Sequence, residues 1–400
     1  NSSADHPKLH DKRTQDDFLL SFPQSYYLTD INPASLSLST VEKLTGLNEP
    51  EINFVWLQHL VERGEYNEAR LLWSQIPSEI PSEPLNELVD LLVMQQRWQE
   101  ITRLAEHVNS SDRLDALLAM QSGVNTDKLT KAQLDYFAIN TLPDGLNFAS
   151  ECKNSVLLLT DNFSAYQHLK RLRAQYIQNP EPEENSFCLS KVFYLGNTLD
   201  CKQGFKGFAS CNIKTALPET DFYILMTKNG LANVRESQMT LTLKSDINVM
   251  VHELMHFSGF EDEYPIYGQK AKWLCNSEGL KAPNLFVGTA EQAPVGWVEA
   301  KTCQNGILDA YKPSPKWSKM QFQELPLSEQ YRQLWQKKIH QDWLFEEQNV
   351  AKSTSSIILD ENGTIIDLNK WGMKKLAYLI KKESLGYYVF CDFAGTPAAV

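Results

Sequence analysis

The run His252-Glu253-Leu254-Met255-His256-Phe257-Ser258-Gly259-Phe260-Glu261-Asp262 constrains this chain more than any other stretch. Its pattern is H-E-x-x-H-x-x-G-x-x-D. Residues four apart on a helix share a face, so His252 and His256 present two imidazoles one above the other. Such a pair is a ligand set for zinc. Glu253 is rotated off that face but within reach of a water on the metal, which suits a general base. Gly259 stands where the helix should stop, because glycine adopts the left-handed conformation cheaply. The chain then turns, and Asp262 is placed to return a carboxylate oxygen as third ligand. Three protein ligands leave one tetrahedral position open, the catalytic arrangement rather than the structural one. Val249-Met250-Val251 leads into the motif, so the helix is expected to be buried. Two histidines and a glutamate are costly there without a partner. Ser245 or Asp246 is the candidate N-cap.

The 400 residues are enough for two or three domains. A net charge of -12 and a pI of about 5.2 argue against a nucleic-acid partner. No apolar run approaches the ~20 residues that a membrane helix needs. The seven cysteines, Cys152, Cys188, Cys201, Cys211, Cys275, Cys303 and Cys391, all fall after residue 150. That asymmetry points to disulfides in one domain and an oxidising compartment. Cys201 with Cys211 or Cys188, and Cys275 with Cys303, are candidate pairs. The odd count leaves at least one thiol. The expected location is therefore outside the cytosol: periplasmic, a cell-envelope lipoprotein or secreted, with a targeting segment preceding Asn1.

Residues 1–39 are expected to form a flexible leader, polar over its first 17 positions. Residues 40–145 show apolar residues at helical spacing, with Pro77, Pro81 and Pro84 as punctuation. Glu65-Tyr66-Asn67-Glu68-Ala69-Arg70 resembles Arg97-Trp98-Gln99-Glu100-Ile101-Thr102 at an offset of 32 residues. Helical hairpins similar to tetratricopeptide-type repeats, or a plain bundle, would give that pattern. A third pair is expected from Asp112 to Phe137. Thr141–Gly145 is a turn-rich junction.

Residues 146–400 then read as an α+β domain. Strands are expected at Ser155–Thr160, Lys191–Leu195, Asp221–Met226 and Met239–Leu243, the last a half-exposed edge strand. Phe163–Ile177 is an amphipathic helix with Leu169, Leu172 and Tyr176 on one side. The stretch from Pro265 to Pro315 looks irregular, and Leu325–Phe345 helical. Residues 351–400 are a C-terminal extension. A hairpin joins Ser356–Leu359 to Thr364–Leu368 through Asp360-Glu361-Asn362-Gly363, followed by a helix at Trp371–Lys382 and a strand at Tyr387–Phe390.

The order of strand, helix, edge strand and motif resembles the metzincin clan of zinc endopeptidases. Asp262 stands in place of a third histidine, as in the snapalysin-like branch, and Asp262-Glu263-Tyr264 is similar to the ending in IgA-peptidase-like metallopeptidases, whose spacing after the second histidine is one residue longer. The likeness spans roughly residues 190–320. It implies one zinc held by His252, His256 and Asp262, with Glu253 as base. It also implies a methionine beneath the metal, for which Met320 is the first candidate and Met373 the second. Some relatives carry a tyrosine two residues after that methionine. Phe322 stands there instead, so Tyr264 and Tyr267 become the candidate oxyanion stabilisers. The substrate would be a protein or peptide lying antiparallel to Met239–Leu243. An aspartate ligand lowers the positive charge at the metal and should raise the pH optimum.

Two other readings compete. A distant glutamate, Glu278 or Glu291, would be the third ligand in a gluzincin-type site. Alternatively, the helical half binds a protein partner and the peptidase half holds zinc but is inactive or latent, so that the chain is an adaptor.

Overall fold

The computed structural model describes residues 12–109, 111–340, 364–380 and 383–394. The chain divides into two compact units, residues 1–122 and 123–400. The molecule mixes helices with several sheets, as expected of the α+β class. The division falls upstream of the Thr141–Gly145 junction.

The first unit is helical: α1 (Lys12–Ser21), α2 (Leu38–Leu44), α3 (Pro50–Arg63), α4 (Tyr66–Leu72), α5 (Ser82–Met94), α6 (Trp98–His107) and α7 (Asp112–Gln121). Part of the expected leader is therefore ordered. Leu19 of α1 and Leu36 are buried with Val41, Leu44 and Ile52. A few apolar side chains suffice to dock a short polar helix, which composition alone hides. Residues 1–11 lie outside the described residues.

The 32-residue offset appears as two hairpins of one shape. Tyr66 and Trp98 each open the second helix of a pair. The N–H groups of Gly64 and Gln96 donate to the Val61 and Val93 carbonyls, and those of Glu65 and Arg97 to Leu60 and Leu92. Both Gly64 (φ 76°) and Gln96 (φ 59°) are left-handed, which lets the chain reverse within three residues. Of the expected third pair, α7 closes this unit and α8 (Lys131–Tyr136) belongs to the second.

The second unit is built on a five-stranded sheet in the order β2-β1-β5-β7-β6. Its strands are β1 (Ser155–Thr160), β2 (Cys188–Tyr194), β5 (Phe222–Thr227), β6 (Asn233–Arg235) and β7 (Gln238–Thr242), with β3 (Leu199–Gln203) and β4 (Ala209–Ile213) forming a separate hairpin. All pairings in the sheet are parallel except β6 with β7. Helix α9 (Phe163–Gln178) links β1 to β2. It is capped by the Asn162 side chain and buries Leu169, Leu172 and Tyr176. The edge expectation for β7 is corrected here: β6 is the edge and covers Gln238–Thr240. Met239-Thr240-Leu241-Thr242 reads as a half-exposed alternation, but both threonines are buried. Their β-branched side chains pack much like valine.

After β7 comes α10 (Ile247–Phe257), then α11 (Gly268–Leu274) and a four-stranded antiparallel sheet in the order β10-β11-β9-β8. These strands are β8 (Gly279–Ala282), β9 (Leu285–Gly288), β10 (Val298–Ala300) and β11 (Asp309–Lys312). They fill the stretch that looked irregular. Strands of three or four residues are too short to show a period of two. Helix α12 covers 329–340. Three disulfides form within this unit: Cys152–Cys188, Cys201–Cys211 and Cys275–Cys303. Cys201 thus pairs with Cys211, not Cys188.

The last elements are β12 (Thr364–Ile380) and β13 (Glu383–Ala394), paired antiparallel. The helix expected at Trp371–Lys382 is a strand through Ile380. Lys374-Lys375-Leu376-Ala377 favours a helix locally, but propensity is a weak force. The antiparallel pairing that sets Gly372 and Met373 against Tyr388 and Tyr387, and Lys374 and Lys375 against Gly386 and Leu385, overrides it. The first arm of the expected hairpin, Ser356–Leu359, lies outside the described residues.

Candidate metal centre

Helix α10 is started by Asp246, whose side chain accepts from the Val249 N–H at 3.0 Å, while Ser245 Oγ accepts from the Thr242 N–H. Its end is set by Gly259, at φ 76°. The Gly259 N–H donates to His256 O at 2.9 Å and the Phe260 N–H to Met255 O at 3.2 Å. This is a Schellman ending, with Phe260 buried beyond it. The turn has a chemical consequence: the Phe260 carbonyl accepts from His256 Nδ1 at 2.7 Å. The other imidazole is fixed from a distant segment, His252 Nδ1 donating to Lys319 O at 2.9 Å.

Carbonyls only accept, so each Nδ1 carries a hydrogen and each Nε2 is left with a lone pair. The two Nε2 atoms lie 3.3 Å apart. Asp262 Oδ1 lies 3.5 Å from His252 Nε2 and 3.2 Å from His256 Nε2. With both rings neutral, three acceptors therefore converge on one point, and Oδ1 is buried there without a hydrogen-bond donor. A tetrahedral ion with bonds of about 2.0–2.1 Å needs ligand atoms roughly 3.3 Å apart. The observed edges of 3.2, 3.3 and 3.5 Å fit that requirement. His252, His256 and Asp262 form a group able to hold a metal ion.

Electrostatics mark the same cluster. Burial opposes protonation of His256, but the hydrogen bond and charge of Asp262, with the charge of Glu253, outweigh it and raise its pKa to about 9. Burial also pushes the Asp262 carboxyl up, yet the two imidazoles and Lys270 hold it well below the usual range. Without a cation, the cluster thus captures a proton. Glu253 is 5% exposed, and burial raises its pKa, partly offset by the imidazoles. A carboxylate so placed is a stronger base than one in water.

The other sequence candidates separate. Met320 is fully buried, and its carbonyl accepts from the Glu263 N–H at 2.9 Å. It immediately follows Lys319, whose carbonyl holds His252. Tyr264 is close enough to Asp262 to feel its charge: burial, followed by the Asp262 charge, drives its phenol pKa upward. Tyr267 is 65% exposed at the N-cap of α11. Phe322 packs at a tilt against Trp317 instead. Glu278 is exposed and accepts from Gln292, and neither it nor Glu291 joins the cluster. Met373 lies on β12.

Lys270 and Glu263 escaped the sequence reading as site residues. Lys270 Nζ lies 2.7 Å from Glu261 Oε2 and 3.3 Å from Asp262 Oδ2. Its ammonium offsets part of the negative charge that Asp262 brings to the cluster. Eight residues past Asp262 across a turn, it gave no periodic signal. Two surface hollows, of about 620 and 500 Å³, lie elsewhere in this unit and contain no residue of the cluster.

Known proteins match the other end of this unit. A family model described as ribosomal protein S6 matches residues 345–400. The small ribosomal subunit protein bS6 of Desulfotalea psychrophila is 54% identical over 52 residues, 13% of this chain and 33% of that protein. Its counterpart from Moorella thermoacetica is 39% identical over 49 residues, 12% of this chain and 50% of that protein. The Caldanaerobacter subterraneus protein is 36% identical over 52 residues, 13% of this chain and 55% of that protein. The chain thus spans a third to about half the length of these relatives. No solved structure matches. The stretch that is similar to bS6 begins well after Asp262, and the metal cluster stands outside it.

Proposed function

We propose that this protein is a zinc-dependent endopeptidase of metzincin type, with His252, His256 and Asp262 as ligands and Glu253 as general base. One observation carries the reading: three acceptor atoms, two of them from buried residues and one from the half-buried His256, face one point at tetrahedral spacing, and the Nδ1 hydrogens of both imidazoles are committed to carbonyls elsewhere. Hydrogen bonding alone gives no reason for that arrangement.

When bound, zinc supplies a Lewis acid and lowers the pKa of a water held in its open position. The chain's own residues do the rest. Glu253 takes a proton from the attacking water and hands it to the leaving amine. Tyr264, beside Asp262, is the nearer of the two tyrosines for a developing oxyanion. A peptide substrate would add to the sheet at β6, the edge strand packed against α10, rather than at β7. The expected rise in pH optimum from Asp262 is moderated by Lys270, whose charge offsets that of the carboxylate.

The helical unit, with its paired hairpins, is read as a surface for a protein partner. Three disulfides fit an exported protein, and no described helix is long and apolar enough to cross a membrane. The segment similar to bS6 is read as separate from the metal chemistry.

Zinc content and cleavage of a mixed peptide library, compared between wild type and Glu253→Gln, test the proposal. One zinc in both with cleavage by wild type alone supports it. One zinc in both with cleavage by neither favours the adaptor reading, in which the site is latent. Absence of bound zinc in wild type removes the reading altogether.

A further inference from the structure

We infer that Glu263 is a positioning residue of the metal centre, its buried carboxylate tying the segment that bears Asp262 to the segment whose carbonyl orients His252. This deepens the metal-centre reading above and rests on it. Glu263 is 1% exposed. Its Oε1 accepts from Asn284 Nδ2 at 2.9 Å and from the Tyr331 hydroxyl. Its Oε2 accepts from Ser318 Oγ and pairs with Lys312 Nζ at 3.2 Å. These partners come from the β8–β9 turn, α12, the segment after β11, and the end of β11 itself. Lys312 is buried too, and it also donates to Lys316 O at 3.0 Å and Gln321 Oε1 at 2.9 Å. Both charges are thus matched and their hydrogen bonds filled, the condition under which a buried pair holds one geometry.

The network grips both sides of the metal cluster. On one side, the Ser318 side chain bonds to the Glu263 carboxylate, and the Met320 carbonyl accepts from the Glu263 N–H at 2.9 Å. Lys319 lies between these two anchors, and its carbonyl fixes His252. On the other side, Asn284 takes the Glu261 N–H at 3.0 Å and donates to the Glu261 carbonyl at 2.8 Å. Thr302 Oγ1 donates to the Asp262 carbonyl at 2.8 Å. With residues 261–263 held by these bonds, the Asp262 side chain is directed at the imidazoles. One carboxylate therefore sets two of three ligands, Asp262 through the chain and His252 through Lys319.

The test compares zinc affinity, by competition with a chromophoric chelator, and the absorption spectrum of the cobalt-loaded full chain. The main variant is Glu263→Met with Lys312→Met, which removes the network without leaving an unpaired charge. Glu100→Gln is the control. It disturbs a buried carboxylate held by Arg70 and Trp73 in the helical unit, with no link to the cluster. The double variant is expected to bind zinc 10–100-fold more weakly, as outer-shell partners typically do, and to change the cobalt spectrum. The control should leave both unaltered. A folded double variant with wild-type affinity and spectrum overturns the inference while the metal reading stands. Wild type that binds no zinc overturns both. Should the double variant not fold, Ser318→Ala and Tyr331→Phe each remove one bond. Each should weaken zinc several-fold, and wild-type affinity in both overturns the inference.

Discussion

Asp262 and Glu263 are neighbours in the chain, both buried, yet they belong to opposite kinds of polar site. Around Glu263 every direction is filled: an amide, two hydroxyls and an ammonium meet its two oxygens. Around Asp262 the inner oxygen meets two nitrogens that, while their rings are neutral, have no hydrogen to offer it. A satisfied buried carboxylate organises a fold. One that faces other acceptors is costly unless a cation or proton joins them. The difference separates a structural centre from a candidate chemical one without reference to any relative.

The largest expected effects fall on the unsatisfied side. His252→Ala or His256→Ala removes a ligand, and zinc affinity should drop by more than the 10–100-fold typical of outer-shell partners. Equilibrium dialysis checks this, and near-normal binding by either variant would dismantle the metal centre. Glu253→Gln should keep the metal and lose about 10²–10⁴ in kcat, the usual worth of a general base. Undiminished turnover would move the base elsewhere.

The two neighbours should then part company in thermal stability. Glu263→Ala strands Lys312 in the interior, which costs about 3–5 kcal/mol. Asp262→Ala leaves Lys270 still paired with Glu261 at 2.7 Å. Measured without metal above pH 9, it should cost about 1 kcal/mol, one lost hydrogen bond. Equal melting shifts for the two variants would erase the contrast.

Acidity sharpens it further. In the metal-free protein His256 holds its proton to about pH 9 against an ordinary value of 6.5. A raised folded-state pKa adds stability that is complete below about pH 6.5 and lost as pH climbs through 9. The metal-free protein should therefore melt progressively lower across that window, by up to about 3 kcal/mol. Zinc takes the proton's place, so the gain in melting temperature on adding zinc should grow over the same range. In Asp262→Asn that slope should flatten. A metal-free stability that rises between pH 6.5 and 9 would contradict the sign.

What was legible in the sequence follows the same division. The three proposed ligands and the proposed base lie within eleven residues, so helical geometry and one glycine placed them together. The strands expected at Ser155–Thr160, Lys191–Leu195 and Asp221–Met226 declared themselves through apolar runs and correspond to β1, β2 and β5, though β2 starts three residues earlier, at Cys188; α9 declared itself by its periodicity. The Glu263 network was invisible because its side-chain partners lie between 21 and 68 residues downstream. Nor does any local pattern announce that a serine, an asparagine and a tyrosine will meet. The edge strand β6 has three residues, and β8–β11 three or four each, too few for alternation to register. At Trp371–Ile380 the local preference pointed to a helix, and cross-strand pairing decided otherwise.

Tyr264 offers the finest test of the comparison, because the Asp262 charge acts on its phenol. Burial and then the Asp262 charge raise its phenol pKa, so a hydrogen bond from the hydroxyl to the carboxylate is the simplest role for it. Such a bond to a charged group contributes about 1.5–3 kcal/mol, less when part-exposed. Tyr264→Phe deletes that hydroxyl and nothing else. If the hydroxyl chiefly orients Asp262, zinc affinity should fall about tenfold or less and kcat at saturating zinc should hold. If it chiefly stabilises an oxyanion, affinity should hold and kcat should fall, with KM for peptide little changed. We expect the first outcome to dominate, since burial and the Asp262 charge raise the phenol pKa and so favour the hydroxyl as a donor to the carboxylate. A loss confined to kcat would place Tyr264 with Glu253 in the chemistry, and would show that Asp262 is positioned without it, by Thr302, Asn284 and Glu263.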